Sequence, residues 1–93
     1  MTKDEFLTLP LQEKIIIALD NITFAPYLDS NLKVMIVKNY CNILDKNNDI
    51  IISYKFMINP GFDKVFSNDV VPISELISAI KSYKVILWIE ESY

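Results

Sequence analysis

The sequence predicts an α+β domain, in which two or three helices pack on a small, mainly antiparallel β-sheet of about three strands. Its 93 residues and apolar fraction of 52% suit one compact domain spanning residues 1–93. Alternating residues from Ile50 to Ile58 indicate a half-buried strand. The segment after Pro72 instead repeats its apolar residues at helical spacing. Together these patterns give the expected order α-α-β-β-α-β.

The first two expected elements are helices. Residues 2–5 form a capping box, in which the Thr2 hydroxyl and the Glu5 carboxylate satisfy free backbone amides of a short first helix. In the second helix, apolar residues recur at helical spacing from Leu11 to Ile22. Ile16 and Ile17 lie off this stripe. The second helix is therefore expected to be deeply buried or to contact a further surface.

The segment from Asn31 to Asp45 fits two structures. A connection from Thr23 to Ser30 precedes it, and Asp29 or Ser30 would cap a helix. The apolar residues that fit a helical face are Leu32, Met35, Ile36, Tyr40, Ile43 and Leu44. The β-branched content of the segment would also suit a strand. We predict a helix here, followed by a polar turn at residues 45–49.

A β-hairpin is expected after this polar turn. The strand Ile50–Ile58 ends at Asn59-Pro60-Gly61, which matches a type II turn because Pro60 presets φ and Gly61 supplies a positive φ. The turn would fold a second strand, from Phe62 to Ser67, onto the first. It also accounts for the only glycine of the chain.

The last third of the chain predicts a helix and a final strand. Pro72 opens the helix, whose apolar arc is Ile73, Leu76, Ile77, Ala79, Ile80 and Tyr83. The final strand begins at Val85, and both of its faces are apolar. It is therefore predicted to be a central strand or to be covered by a partner.

Missing residue types exclude most enzyme chemistry. The chain has no histidine and no arginine, one glycine and one cysteine, Cys41. It therefore lacks the usual acid–base group, the usual phosphate clamp and a glycine-rich phosphate loop. We expect no enzyme, no cofactor and no metal site, with Cys41 in the core. The turn at 45–49 lacks the glycine and final glutamate of a calcium loop, and Ser78-x-x-Lys81 lacks the companion motifs of acyl-transfer enzymes.

The net charge and the cysteine content limit the classes of partner and the cellular compartment that we expect for this protein. A net charge of −3 argues against nucleic-acid binding. A lone cysteine cannot form an internal disulfide, which suits the reducing cytoplasm. The acidic N-terminus does not resemble a signal peptide, and the longest apolar runs are too short to span a membrane. Abundant Ile, Asn and Lys without Arg are typical of an AT-rich genome, such as that of a low-GC bacterium or its phage.

Charged and apolar residues without a clear core position predict a protein interface. Adjacent carboxylates near both ends of the chain would attract a basic surface, and large apolar residues would supply contact area. The candidate residues are Asp4, Glu5, Ile16, Ile17, Trp88, Glu90, Glu91 and Tyr93. We therefore expect a small, acidic, non-enzymatic module that binds a larger protein with a basic surface, as an inhibitor or adaptor.

The alternative is a homodimeric structural or accessory subunit. Its two copies would meet through the last strand or through the side of Ile16 and Ile17. In type, the chain resembles phage-encoded inhibitors and bacterial immunity proteins, which are short, acidic and poor in motifs. That resemblance implies a protein that acts by occupying a surface of a larger machine.

Overall fold

A five-stranded antiparallel sheet carries helices on one face in the computed structural model, which describes residues 1–62, 66 and 70–89. The helices are α1 (Lys3–Leu7), α2 (Leu11–Asp20), a 3₁₀ helix (Ile22–Tyr27) and α3 (Ile73–Lys81). The strands are β1 (Lys33–Val37), β2 (Tyr40–Leu44), β3 (Ile50–Ile58), β4 (Val70–Pro72) and β5 (Val85–Ile89), in the spatial order β4-β1-β2-β3-β5. The predicted α+β class is confirmed, but the sheet has five strands instead of about three.

The helices begin where local signals place them. The Thr2 hydroxyl accepts a hydrogen bond from the Glu5 amide and donates one to the Glu5 carboxylate, each at 3.2 Å. The Thr2 half of the predicted capping box is therefore confirmed, whereas the Glu5 carboxylate bonds the Thr2 hydroxyl instead of a backbone amide. Pro72 precedes the first residue of α3, also as predicted. A 3₁₀ helix occupies part of the predicted connection 23–30, and Phe6 of α1 stacks on its Phe24 with ring centroids 5.1 Å apart.

The predicted helix at 31–45 is wrong. This segment is the hairpin of β1 and β2, in which Val37 pairs with Tyr40 across a two-residue loop. Val34, Cys41 and Ile43 are fully buried, because alternate side chains of each strand point to the helices. Burial of β-branched residues in a sheet therefore outweighed the helical spacing of the apolar residues.

The hairpin predicted across the Gly61 turn is also wrong, although the turn itself forms. The Phe62 amide donates a 3.2 Å hydrogen bond to the Asn59 carbonyl, and Gly61 has a φ of +98°. However, β3 pairs with β2 on one side and β5 on the other. Phe62 and Phe66 lie outside the strands, and residues 63–65 and 67 of the predicted second strand lie outside the described residues.

The core lies between the helices and one face of the sheet. Cys41 is fully buried within it, as predicted. The helical contributors to this core are Ile15, Leu19, Ile73, Leu76 and Ala79. The sheet contributes Val34, Cys41, Ile43, Ile52, Tyr54, Phe56, Val71 and Val85. No described helix covers the opposite face of the sheet, and this leaves one layer of side chains outside the core.

Candidate protein-binding surface

Strand β5 lies at one edge of the sheet. Its five residues, Val-Ile-Leu-Trp-Ile, include no charge, proline or glycine. Native proteins protect such edges with short strands, charges, prolines or bulges. At the opposite edge, β4 has only three residues and ends with Pro72, which has no N–H to donate. The prediction of a central last strand is wrong, whereas the prediction that a partner covers it stays a prediction.

The hydrogen-bonding direction of β5 follows from one bond at the start of its pairing with β3. The Asn59 amide donates to the Lys84 carbonyl at 2.8 Å, so these two residues begin the ladder between β3 and β5. Because antiparallel strands alternate their bonding direction, Ile86 and Trp88 bond β3. The amides and carbonyls of Val85, Leu87 and Ile89 therefore point away from the sheet. Within residues 1–62, 66 and 70–89, no other strand pairs with this edge.

Large apolar side chains cover the outer face of β3 and β5. Met57 pairs with Ile86, and Lys55 pairs with Trp88. Met57 is 50% exposed, Ile86 45% and Trp88 44%, which is high for side chains of this size. Three such neighbours form an apolar patch of the kind that interfaces use.

A cleft of about 390 Å³ lies on the other side of β5, between α2 and the sheet. It is lined by Ile16, Leu19, Asp20, Tyr54, Leu87 and Trp88. The Tyr54 side chain is only 4% exposed, and its hydroxyl has no hydrogen-bond partner among the described residues. Burial raises the pKa of Tyr54 to about 12, and the negative charge of Asp20 contributes to the rise.

We define the β5 edge surface as Ile16, Met57, Ile86, Leu87 and Trp88. The structure brings two predicted interface residues together, because Ile16 and Trp88 line the same cleft. Met57, Ile86 and Leu87 were absent from the predicted set. The apolar character of both faces of the last strand is the signal that could have found Ile86 and Leu87.

The other predicted interface residues do not join this surface. Asp4 and Glu5 are exposed on α1, which packs on the 3₁₀ helix. The Glu5 carboxylate accepts a hydrogen bond from the hydroxyl of Thr2, the residue that caps α1. Ile17 is half-buried on α2 but does not line the cleft. The remaining three, Glu90, Glu91 and Tyr93, lie outside the described residues. Asp20 and Tyr54 were missed, because nothing in the sequence places an α2 carboxylate beside a β3 hydroxyl.

A second cleft, of about 410 Å³, lies between the 3₁₀ helix and α3. Asp29, Ser78 and Lys81 line it, so the discounted Ser-x-x-Lys pair occurs here. All three side chains are exposed, and water can therefore satisfy them. Unlike the cleft beside β5, it presents no buried polar group without a partner among the described residues.

No protein-family model matches the chain, and searches of curated proteins and of solved structures returned no match. In the part of the chain that the structure describes, no three His, Cys, Asp or Glu side chains lie close enough together to hold a metal ion. No helix among those residues is both long enough and apolar enough to cross a membrane. The function is therefore inferred from the geometry of the β5 edge surface.

Proposed function

We propose that the chain is a non-enzymatic protein-binding module, an inhibitor or adaptor, whose β5 edge surface docks on a larger protein. The observation that carries this proposal is an apolar edge strand that has no protective residues and that carries an exposed tryptophan. A sheet edge of this kind either binds another chain or promotes aggregation. Burial of β5 by a partner satisfies its outward backbone groups and removes the apolar patch from water.

The geometry supports addition of a partner strand to β5. The outward amides and carbonyls of Val85, Leu87 and Ile89 would supply main-chain hydrogen bonds, while Ile86 and Trp88 would fill pockets on the partner. Tryptophan is among the residues that most often dominate binding energy. We retain a partner with a basic surface, because the chain carries a net charge of −3 and Asp20 lies in the adjacent cleft.

A matched pair of substitutions tests this function. Ile86→Lys places a charge in the apolar patch, whereas Ile50→Lys makes the same change at a residue that is 56% exposed at the start of β3, outside the segment paired with β5. Wild type and both variants are immobilised, used to capture proteins from host lysate, and then titrated against the purified partner. Ile86→Lys should weaken binding by about 30-fold or more, the effect of losing a central interface residue. Ile50→Lys should bind as wild type does, and equal affinities for all three proteins would refute the docking surface.

Self-association is the second candidate, favoured by the same edge. Two copies of β5 could pair antiparallel across a two-fold axis and join their sheets into one. Light scattering after size exclusion distinguishes the candidates, because a homodimer through β5 becomes monomeric in Ile86→Lys but not in Ile50→Lys. A wild-type monomer at high micromolar concentration would eliminate this candidate.

A further inference from the structure

Two groups in the cleft beside β5 lower the stability of the free protein. A buried hydroxyl without a hydrogen-bond partner is unfavourable, and Tyr54 Oη is such a group among the described residues. Asp20 is the last residue of α2, so its carboxylate lies at the negative end of the helix dipole. The last turn of α2 contains no basic residue to offset it. Both groups line one cleft, and each would be stabilised by a positively charged hydrogen-bond donor.

The charges and walls of the cleft favour the same ligand. None of the lining residues is a lysine, so the described charge at the cleft is entirely negative. The walls are apolar side chains of Ile16, Leu19 and Leu87, which suit an aliphatic chain. Trp88 also contributes to the wall of the cleft. A ligand with an aliphatic stem and a cationic head matches all of these features.

We infer that this cleft is a subsite for a lysine or arginine side chain of the partner protein, an inference that rests on the proposed function. The aliphatic stem lies between α2 and β5, where it contacts Ile16 and Leu87. The cationic head pairs with the exposed Asp20 carboxylate and, by displacing the side chains that bury Tyr54 Oη, donates a hydrogen bond to this hydroxyl. The cleft opens beside the strand edge, so a strand added to β5 can direct a side chain into it.

A titration with n-butylammonium chloride tests the subsite without the partner. The full chain, labelled with ¹⁵N, is titrated at constant ionic strength, and the indole N–H signal of Trp88 is followed, since this is the only tryptophan. Pentanoate and 1-pentanol serve as ligands of similar size with a negative charge and no charge. Butylammonium should shift the signal in a saturable manner, and the other two should bind at least several-fold more weakly. Equal responses to all three ligands would overturn the proposal.

Variants distinguish the two polar groups. Asp20→Asn should weaken butylammonium binding by up to about fivefold, the range of an exposed charge pair. Glu13→Gln, which removes a carboxylate from the first turn of the same helix, should leave the affinity unchanged. Tyr54→Phe should weaken binding while leaving the melting temperature equal or higher, because it removes an unsatisfied group. A clear fall in melting temperature for Tyr54→Phe would show that the hydroxyl is bonded in the free protein and would overturn the proposal.

The purified partner provides the final comparison. Asp20→Lys should abolish the butylammonium response and weaken partner binding at least tenfold, since it places a like charge at the subsite. If butylammonium binds but Asp20→Lys leaves partner binding unchanged, the cleft takes free amines and the inference fails. The docking surface itself is tested by Ile86→Lys against Ile50→Lys, so either proposal can fail while the other stands.

Discussion

Alkaline pH should destabilise this protein through two buried groups that face each other. Cys41 of β2 and Tyr54 of β3 are direct cross-strand neighbours, and both are almost fully buried. Burial raises the pKa of Cys41 from 9.0 to about 12, and burial together with the charge of Asp20 raises that of Tyr54 from 10.0 to about 12. The unfolded chain therefore loses these protons at lower pH than the folded protein, and the stability that they contribute falls as pH rises.

The size of the effect follows from proton linkage. Each group lowers the free energy of unfolding by at most about 1.4 kcal/mol per pH unit between its unfolded and folded pKa. Cys41 lowers the free energy of unfolding from pH 9 to about 12, and Tyr54 lowers it from pH 10 to about 12. By pH 11 the combined loss is at most about 4 kcal/mol, a large part of the roughly 5–15 kcal/mol typical of a domain. Below pH 9 neither group should change the stability.

Urea unfolding followed by circular dichroism at pH 8, 9.5 and 11 measures this loss. Cys41→Ala should flatten the fall between pH 9 and 10, and Tyr54→Phe should flatten the additional fall above pH 10. Tyr83→Phe is the matched control, because it removes the same hydroxyl from a side chain that is 81% exposed. A stability that stays constant from pH 8 to 11, or one that falls equally in wild type and all variants, would refute the linkage.

Two further predictions concern packing and backbone strain. Phe6→Ala should lower the free energy of unfolding by about 3–5 kcal/mol, because Phe6 is fully buried and stacks on Phe24; a loss below about 1 kcal/mol in urea unfolding would mean that α1 does not dock. Tyr83→Gly should raise the free energy of unfolding by about 1 kcal/mol, because Tyr83 has a left-handed φ of +55° that glycine adopts without strain. Gly61→Ala should lower the free energy of unfolding by about 1 kcal/mol, because Gly61 has a φ of +98°. Thermal melts of both variants check these opposite signs, and a shift in the same direction for both would show that φ is not the cause.

Elements with a complete local signal were predictable from the sequence. The helix cap by the Thr2 hydroxyl, the helix after Pro72 and the alternation of Ile50–Ile58 each depend on residues close together in the chain. The Asp45–Asp49 turn also formed, with the Asp45 carboxylate accepting hydrogen bonds from the Asn47 and Asp49 amides. These patterns determine an element because its own backbone groups are satisfied locally.

Features that depend on distant partners were not predictable in the same way. The loop between β1 and β2 is Lys38-Asn39, with Lys38 at a φ of +54°, and it lacks the Asn-Gly or Gly-first pattern that usually marks a two-residue hairpin. Without that signal, the helical spacing of 31–45 was misleading. The pairing of β3 with β5 joins residues about 30 positions apart, with α3 between them. The cleft of Asp20 and Tyr54 depends on that same long-range packing.

Three kinds of unfavourable feature occur together beside β5: an unprotected apolar edge, exposed apolar side chains and a buried hydroxyl without a partner among the described residues. A domain selected only for stability would gain from phenylalanine in place of Tyr54, because the hydroxyl has no partner among the described residues. It would also gain from a charge on β5 and from polar residues at Ile86 and Trp88. Each of these changes would remove a group that a partner strand or a cationic side chain would satisfy under the proposed function.

A partner that binds only the folded protein raises the free energy of unfolding by mass action, by about 2.7 kcal/mol at a concentration 100 times its Kd. Under the proposed function, the edge strand, the exposed tryptophan and the negative cleft are parts of one surface that a bound partner would complete.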